Sequence, residues 1–402
     1  MDRVSLDRIR AARKLLADVV RTTSLADSLV LSQLAGGDVY LKCENLQRTG
    51  SFKIRGAYVR IHGLSAAERA TGVVAASAGN HAQGVALAAS LLHTRATVFM
   101  PVRAPLPKLA ATRQYGAEVH LHGAVVDETL ARAKEFAEET GAVFIHPFDH
   151  PDVIAGQGTL GLEILDQLPD VATILVPTGG GGLLGGIAAA VKAVKPETTV
   201  VGVQAEQAAA FPPSLAAGRP VRLDAVYTMA DGIAVGEPGA ITYAHVAGLA
   251  DEVITVGEES LSRAVLLCLE RAKLVVEPAG AAAVAAILDH PGRFTPPVVA
   301  VLSGGNVDPL LLLHIIQHGM TAAGRYLAMR LRMADRPGSL AALLGRISEL
   351  GANVLDVEHS RVSGALALGE VEVALKLETR GPEHCAQVVD TLRAADYTVL
   401  EP

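Results

Sequence analysis

Short apolar runs rich in β-branched residues recur from about residue 70 to residue 320: GVVAAS (72–77), ATVFMP (96–101), EVHLHG (118–123), TILVPT (173–178), TVVGVQAE (199–206) and PVVAVLSGG (297–305). Between them lie stretches of helical period, among them Ala131–Glu139 and Leu261–Leu274. Strands that are apolar throughout and separated by helical crossovers predict a parallel sheet covered on both faces. In such sheets ligands bind beyond the carboxyl ends of the strands. The segments SAGNH, TGGGGL and SGGN each follow one of these strands, so chemistry is expected there.

The period changes near residue 325. Leu327, Met329, Leu331 and Met333 occupy every second position, with Arg330 and Arg332 among the residues between. DRPGSL (335–340) then offers a turn and a helix start, with Leu340, Leu343, Leu344 and Ile347 on one helical face. A strand over 353–361 is followed by one in which Val371, Val373, Leu375 and Leu377 alternate with charged residues. A helix over Pro382–Ala395 and a last strand at 397–402 complete a βαββαβ order. That is the ferredoxin-like pattern, with one polar sheet face, and it predicts a separate domain over 325–402.

Composition narrows the partners. Half of the 402 residues are hydrophobic and 19% are charged, which suits well-buried structure and not disorder. A net charge of -7 supplies no field for a phosphate backbone, so no nucleic-acid partner is expected. Cys43, Cys268 and Cys385 are far apart and form no CxxC, which predicts neither disulfides nor a thiolate metal site. The N-terminal residues read as an amphipathic helix and not as a signal peptide, and apolar runs such as Leu310–Leu313 are too short to span a bilayer. A soluble, cytoplasmic protein with no membrane contact is the expectation.

Three segments carry candidate chemistry. Thr178–Gly186 follows a buried strand and opens a helical run. Consecutive glycines there let backbone N–H groups converge, and a helix N-terminus favours an anion, so the loop reads as a phosphate site. Walker A is excluded because no Lys-Ser or Lys-Thr follows the glycines. Gly180, Gly182 and Gly185 also satisfy the dinucleotide fingerprint, with Glu206 placed for a ribose, so a nicotinamide-dependent oxidoreductase stays open as an alternative. Lys53 lies among Phe52, Ile54, Gly56 and Ala57; a desolvated lysine has a lowered pKa and is a better amine nucleophile. Ser77 and Asn80 stand where a strand gives way to a helix, as caps or as ligands.

SFKIRGA (51–57), SAGNHAQG (77–84), IAGQGT (154–159), TGGGGL (178–183), EPAG (277–280) and SGGN (303–306), in this order, closely resemble the fold type II pyridoxal-phosphate enzymes, and among them the threonine ammonia-lyases, or threonine dehydratases. The likeness spans essentially the first 320 residues. It implies a catalytic domain over 1–320 made of two α/β subdomains with parallel sheets, the smaller at about 48–148. The segment with DRPGSL and GANV (351–354) resembles an ACT regulatory domain.

The resemblance implies pyridoxal 5′-phosphate held by Lys53, which also removes the substrate's α-proton. It places the phosphate on Gly179, Gly180, Gly181, Gly182 and Leu183, with Phe52 beside the cofactor. Asn80 would meet the ring 3′-oxygen and Ser303 the pyridine nitrogen. Ser77, Ala78, Gly79, Asn80 and His81 would bind the substrate carboxylate. The implied reaction is β-elimination of water from L-threonine to give 2-oxobutanoate and ammonia, with L-serine, hydroxyaspartate and racemisation as alternatives. Serine racemases carry a serine, used as the opposite-face acid/base, where this chain has Ala78, which argues for elimination. Gln204 replaces a carboxylate metal ligand of the racemase-like relatives, so no divalent metal is expected. Isoleucine or valine would act as effectors at Gly351 and Asn353, and the resemblance implies a homotetramer serving amino-acid metabolism.

Overall fold

The computed structural model describes residues 3–77, 79–361 and 366–400. They form two compact units that divide between Asp308 and Pro309.

In the first unit a six-stranded sheet runs in the order Leu25–Asp27, Val39–Lys42, Val298–Val301, Thr173–Pro177, Thr199–Ala205 and Glu252–Val256. Its edge pair is antiparallel and every other pair parallel. Thr173–Pro177 and Val298–Val301 are buried at every residue, as a sheet covered on both faces requires. The helices Gly182–Val194 and Pro278–Asp289 that follow or precede these strands are rich in alanine and glycine, and both are buried over most of their length. A second sheet, in the order Glu118–Leu121, Ala96–Met100, Val73–Ala76 and Val143–Phe144, is parallel throughout.

Local chemistry explains the element ends. The helix Leu6–Leu16 starts where Ser5 Oγ accepts the Arg8 N–H at 3.3 Å, and it buries Ile9, Ala12 and Leu16. The helix expected over Ala131–Glu139 extends across Val126–Thr140 and stops at Gly141 with φ 74°. The one expected over Leu261–Leu274 is α-helical only across Glu258–Leu267, then widens into a π turn, Cys268–Ala272, which Lys273 ends at φ 60°.

The second unit opens with the helix Pro309–Ala322, so the boundary falls near residue 308 and not near 320. Its antiparallel sheet has the order Asn353–Ser360, Glu370–Glu378, Tyr326–Ala334 and Thr398–Leu400, with the helices Ser339–Glu349 and Pro382–Ala394 in the βαββαβ succession. Met329, Leu331, Met333, Val371, Val373, Leu375 and Leu377 point into one core with Leu343, Ile347, Val388 and Leu392. A cavity of about 530 Å³ lies at the first strand–helix turn, lined among others by Met333, Asp335, Arg336, Gly338, His359 and Arg361. Gly351 and Asn353 lie outside that lining: Gly351 turns the chain at φ 74°, and Asn353 Nδ2 donates to Glu378 Oε2 at 3.3 Å.

Candidate active site

Four sequence-distant loops meet at the carboxyl ends of the strands. Ser51 bridges to Gly304, and the Phe52 N–H donates to the Ser303 carbonyl at 3.2 Å. The Glu277 N–H donates to the Gly304 carbonyl at 3.1 Å. Asn80 Nδ2 donates to Glu277 Oε1 at 2.5 Å, while Asn306 Nδ2 donates both to Asn80 Oδ1 and to the Thr49 carbonyl, each at 2.7 Å. The SFKIRGA, SAGNHAQG, EPAG and SGGN segments are thereby one hydrogen-bonded cluster. Asn80 is the first residue of the helix Asn80–Leu91, yet its side chain turns to Glu277 and Asn306 and not back to cap that helix.

Lys53 begins the helix Lys53–His62, and its Nζ donates to the Pro147 carbonyl at 3.1 Å. Burial lowers its amine to about 8, although the nearby Glu277 carboxyl pulls the other way. Gly84 allows this close seating, because a Cβ there would come within 3.2 Å of Lys53 Cβ and the Ile54 nitrogen.

The glycine run turns the strand Thr173–Pro177 into the helix Gly182–Val194. Gly181 has φ 90°, and a Cβ on it would lie 2.5 Å from the Phe211 ring. A Cβ on Gly180 would lie 2.5 Å from the ring of Phe148, the neighbour of Pro147. Adjacent residues 147 and 148 therefore touch Lys53 and the glycine loop, which puts the amine beside a helix N-terminus whose first N–H groups have no intrahelical acceptor. Gln204 supports the turn from behind: its Oε1 accepts the Phe211 N–H at 2.9 Å, and its Nε2 faces the Gly179 and Ala208 carbonyls at 3.5 Å.

His81 is buried, and its Nε2 hydrogen-bonds the Ile145 carbonyl at 2.8 Å. Burial, aided by the positive charge of Lys53, holds its imidazole down at about 3, so it is neutral at any working pH. Ser77 Oγ accepts the Gly79 N–H at 3.1 Å; Ala78 lies outside the described residues. Among the described residues, no group of three or more His, Cys, Asp or Glu side chains is placed to hold a metal ion.

Several functional candidates carry no assigned role in the sequence reading. Glu277 lies inside a quoted motif, and burial with the nearby Asp231 raises its carboxyl to about 7. Lys108 Nζ reaches Asp231 Oδ2 at 2.6 Å, and a Cβ on Gly79 would stand 3.4 Å from that Nζ. Pro147 and Phe148 sit in a loop with no periodicity to mark them. An acidic residue just before a proline-led run of buried alanines was the available signal for Glu277; the others have meaning only through their partners.

The chain matches the model of the family described as pyridoxal-phosphate dependent enzyme over residues 16–304. It is 48% identical to the L-threonine ammonia-lyase of Thermotoga maritima over 396 residues, 98% of this chain and 99% of that one. Among solved structures, the threonine deaminase of T.th. superposes with a TM-score of 0.72 at 44% identity, covering 76% of this chain and 99% of that one. Maize serine racemase superposes with a TM-score of 0.74 at 35% identity, covering 80% and 99%.

Proposed function

Because the chain belongs to the pyridoxal-phosphate dependent enzymes, we propose that it is an ammonia-lyase that uses this cofactor to convert L-threonine to 2-oxobutanoate and ammonia. The dinucleotide reading of the glycine loop is replaced by a cofactor phosphate.

The residues present fit the cofactor. Ser51 Oγ is a buried polar atom without a hydrogen-bond partner. Near it stand an amine that is half deprotonated near pH 8 and a glycine turn with no room for side chains. Pyridoxal phosphate, when bound, supplies the aldehyde that takes up an amino group and the ring that delocalises the electrons of the Cα–H bond. Lys53 holds it and takes the α-proton on Nζ, a task suited to an amine that titrates near working pH. The N–H groups of Gly179, Gly180, Gly181, Gly182 and Leu183 hold the phosphate, Asn80 the ring oxygen, and Ser303 the ring nitrogen through a neutral hydroxyl. Phe52, with its ring centroid 5.1 Å from Lys53 Nζ, shields the amine. The loop 77–81 takes the substrate carboxylate, and residue 78 is an alanine, with no side-chain proton to give, where serine racemases carry a serine.

L-Serine, which keeps the β-hydroxyl and lacks only a methyl group, is a second substrate giving pyruvate. The second unit acts as an ACT-type sensor for isoleucine or valine, bound at the strand–helix turn, within a cytoplasmic homotetramer that serves isoleucine biosynthesis. The βαββαβ succession and the cavity beside Asp335 and Gly338 support that part. Among the described residues, no helix is long and apolar enough to cross a membrane.

The observation that carries the reading is Lys53, desolvated and tied through Pro147 and Phe148 to the glycine turn. Its test is the visible absorbance of the purified protein before and after L-threonine, with keto-acid release followed in wild type and Lys53→Ala. A threonine-sensitive band and 2-oxobutanoate lost in the variant are expected. A colourless protein that pyridoxal phosphate does not reconstitute overturns the reading.

A further inference from the structure

We propose that Glu277 is a positioning residue which, together with Asn306, locks the side-chain amide of Asn80 in one orientation and so presents its remaining N–H to the cofactor ring. The inference rests on the cofactor reading above and adds to it what fixes the asparagine.

An asparagine amide has two nearly isosteric ends, and only its partners decide which one faces a ligand. Here both ends are specified. Above about pH 7, where the Glu277 carboxyl is ionised, its Oε1 can only accept from Asn80 and so selects the NH2 end. Asn306 Nδ2 can only donate, so it selects the oxygen, and its second hydrogen is committed to the Thr49 carbonyl. Flipping the amide would set oxygen against carboxylate and NH2 against NH2. Of the two Asn80 Nδ2 hydrogens, Glu277 Oε1 takes one, and the other remains for the site.

The surroundings hold this arrangement tightly. A Cβ on Gly304 would clash with Glu277 Oε1 and come within 3.0 Å of Asn80 Nδ2. One on Gly280 would clash with the Gly304 carbonyl, and one on Gly232 would meet Ala279 Cβ at 2.9 Å. Glycines from three separate segments, one of them the first turn of the helix Pro278–Asp289, thus let backbone close around one carboxylate–amide pair. The Glu277 backbone is pinned too, by its N–H to the Gly304 carbonyl. A carboxylate serving only as a helix cap would need none of this, and Glu277 makes no side-chain cap bond to the helix Pro278–Asp289.

The test uses full-length apoprotein titrated with pyridoxal phosphate, reading the visible band and the apparent Kd. Glu277→Ala and Asn80→Ala should each weaken binding about tenfold, the worth of one hydrogen bond to a charged partner, and displace the band alike. Measured above about pH 9, where the Lys53 amine is deprotonated in every variant, the double variant should be no worse than Asn80→Ala alone, because Glu277 then acts only through Asn80. Glu277→Gln, whose carbonyl can still accept from Asn80, should stay within about threefold of wild type. Additive losses, a Glu277→Ala titration like wild type, or a Glu277→Gln variant as weak as Glu277→Ala would each overturn the proposal. Should Glu277→Ala not fold, Asn306→Ala run through the same cycle with Asn80→Ala tests the lock from its other side. A wild type that takes up no cofactor sinks the cofactor reading itself, an outcome distinct from failure of the lock.

Discussion

Arg55 holds Glu44 through two parallel bonds, Nε to Oε2 and Nη2 to Oε1, each 2.8 Å, and neither side chain reaches water. Nη2 also meets Glu163 Oε2 at 2.9 Å, and Glu163 Oε1 holds Lys42 Nζ at 2.6 Å. Two cations and two carboxylates therefore balance inside the first unit. Arg55 stands two residues after Lys53, so this network seats the first turn of the helix that carries the amine. Burial works to raise the Glu44 carboxyl, but the Arg55 charge and its hydrogen bonds hold it below its usual range, while burial pulls the Lys42 amine down.

Arg55→Leu should be strongly destabilising, by about 3–5 kcal/mol, because it leaves Glu44 buried without its bidentate partner. The loss would appear as a lower denaturant midpoint at unchanged slope. Arg55→Lys keeps the charge and loses the planar fork, so its midpoint should fall between the two. An Arg55→Leu protein as stable as wild type would show that the network adds nothing to folding.

The Lys53 amine should titrate near pH 8 in the apoprotein, against about 10.4 for a free lysine. Acylation of the Lys53 peptide, followed by mass spectrometry across pH 6–11, should therefore reach half its maximal rate near pH 8. Glu277→Gln removes the negative charge that raises this value, so its midpoint should move lower still. A midpoint near that of an exposed lysine would show that the amine is not desolvated.

Gly181→Ala should impair folding and cofactor retention together. Its φ of 90° disfavours any side chain, and the added methyl meets the Phe211 ring at 2.5 Å. Overpacking of this kind costs about 1–3 kcal/mol, and movement of the loop should weaken pyridoxal-phosphate affinity by at least about tenfold. Titration of the apoprotein with cofactor, beside a thermal melt, separates the two effects.

How much of this was legible depended on whether a residue's partner was close in sequence. The strand runs, the βαββαβ order and the positions of SAGNH, TGGGGL and SGGN followed from local period, because continuous apolar strands leave one place for polar loops. Lys53 stood out through its apolar neighbours and the glycine loop through its composition. Asn80 and Glu277 are 197 residues apart, and Arg55 and Glu163 are 108 apart, so neither pair has a local signature. Arg55, Glu44 and Lys42 carry no local mark of burial, and only the fold closes them on one another. The π turn after Leu267 and the placement of Pro309–Ala322 in the second unit were likewise settled by tertiary packing, which overrides the helical period.

His81, which is buried, and His146, which is half-buried, should weaken the fold in mild acid. His81 titrates at about 3 and His146 at about 4 in the folded chain, both held down chiefly by burial, and His146 Nδ1 additionally accepts the Phe148 and Asp149 N–H groups. In the unfolded chain both bind a proton below about pH 6.5. Between those limits the unfolded state carries more of the histidine protons, so each histidine lowers stability by about 1.4 kcal/mol per pH unit as pH drops from about 6.5, while Glu277, held up at about 7 in the fold, binds its proton there first and offsets about one histidine down to about pH 4.3. Glu44, whose folded value is depressed, adds a loss of the same sign only below about pH 4.3. His81→Leu should lower stability at pH 7, since the Ile145 carbonyl loses its donor, yet it should flatten the decline between about pH 6 and about pH 4.5 by one proton's worth. Denaturant midpoints measured across that interval check it. An unchanged slope would mean that His81 accepts its proton within the fold, and that burial does not keep the ring neutral.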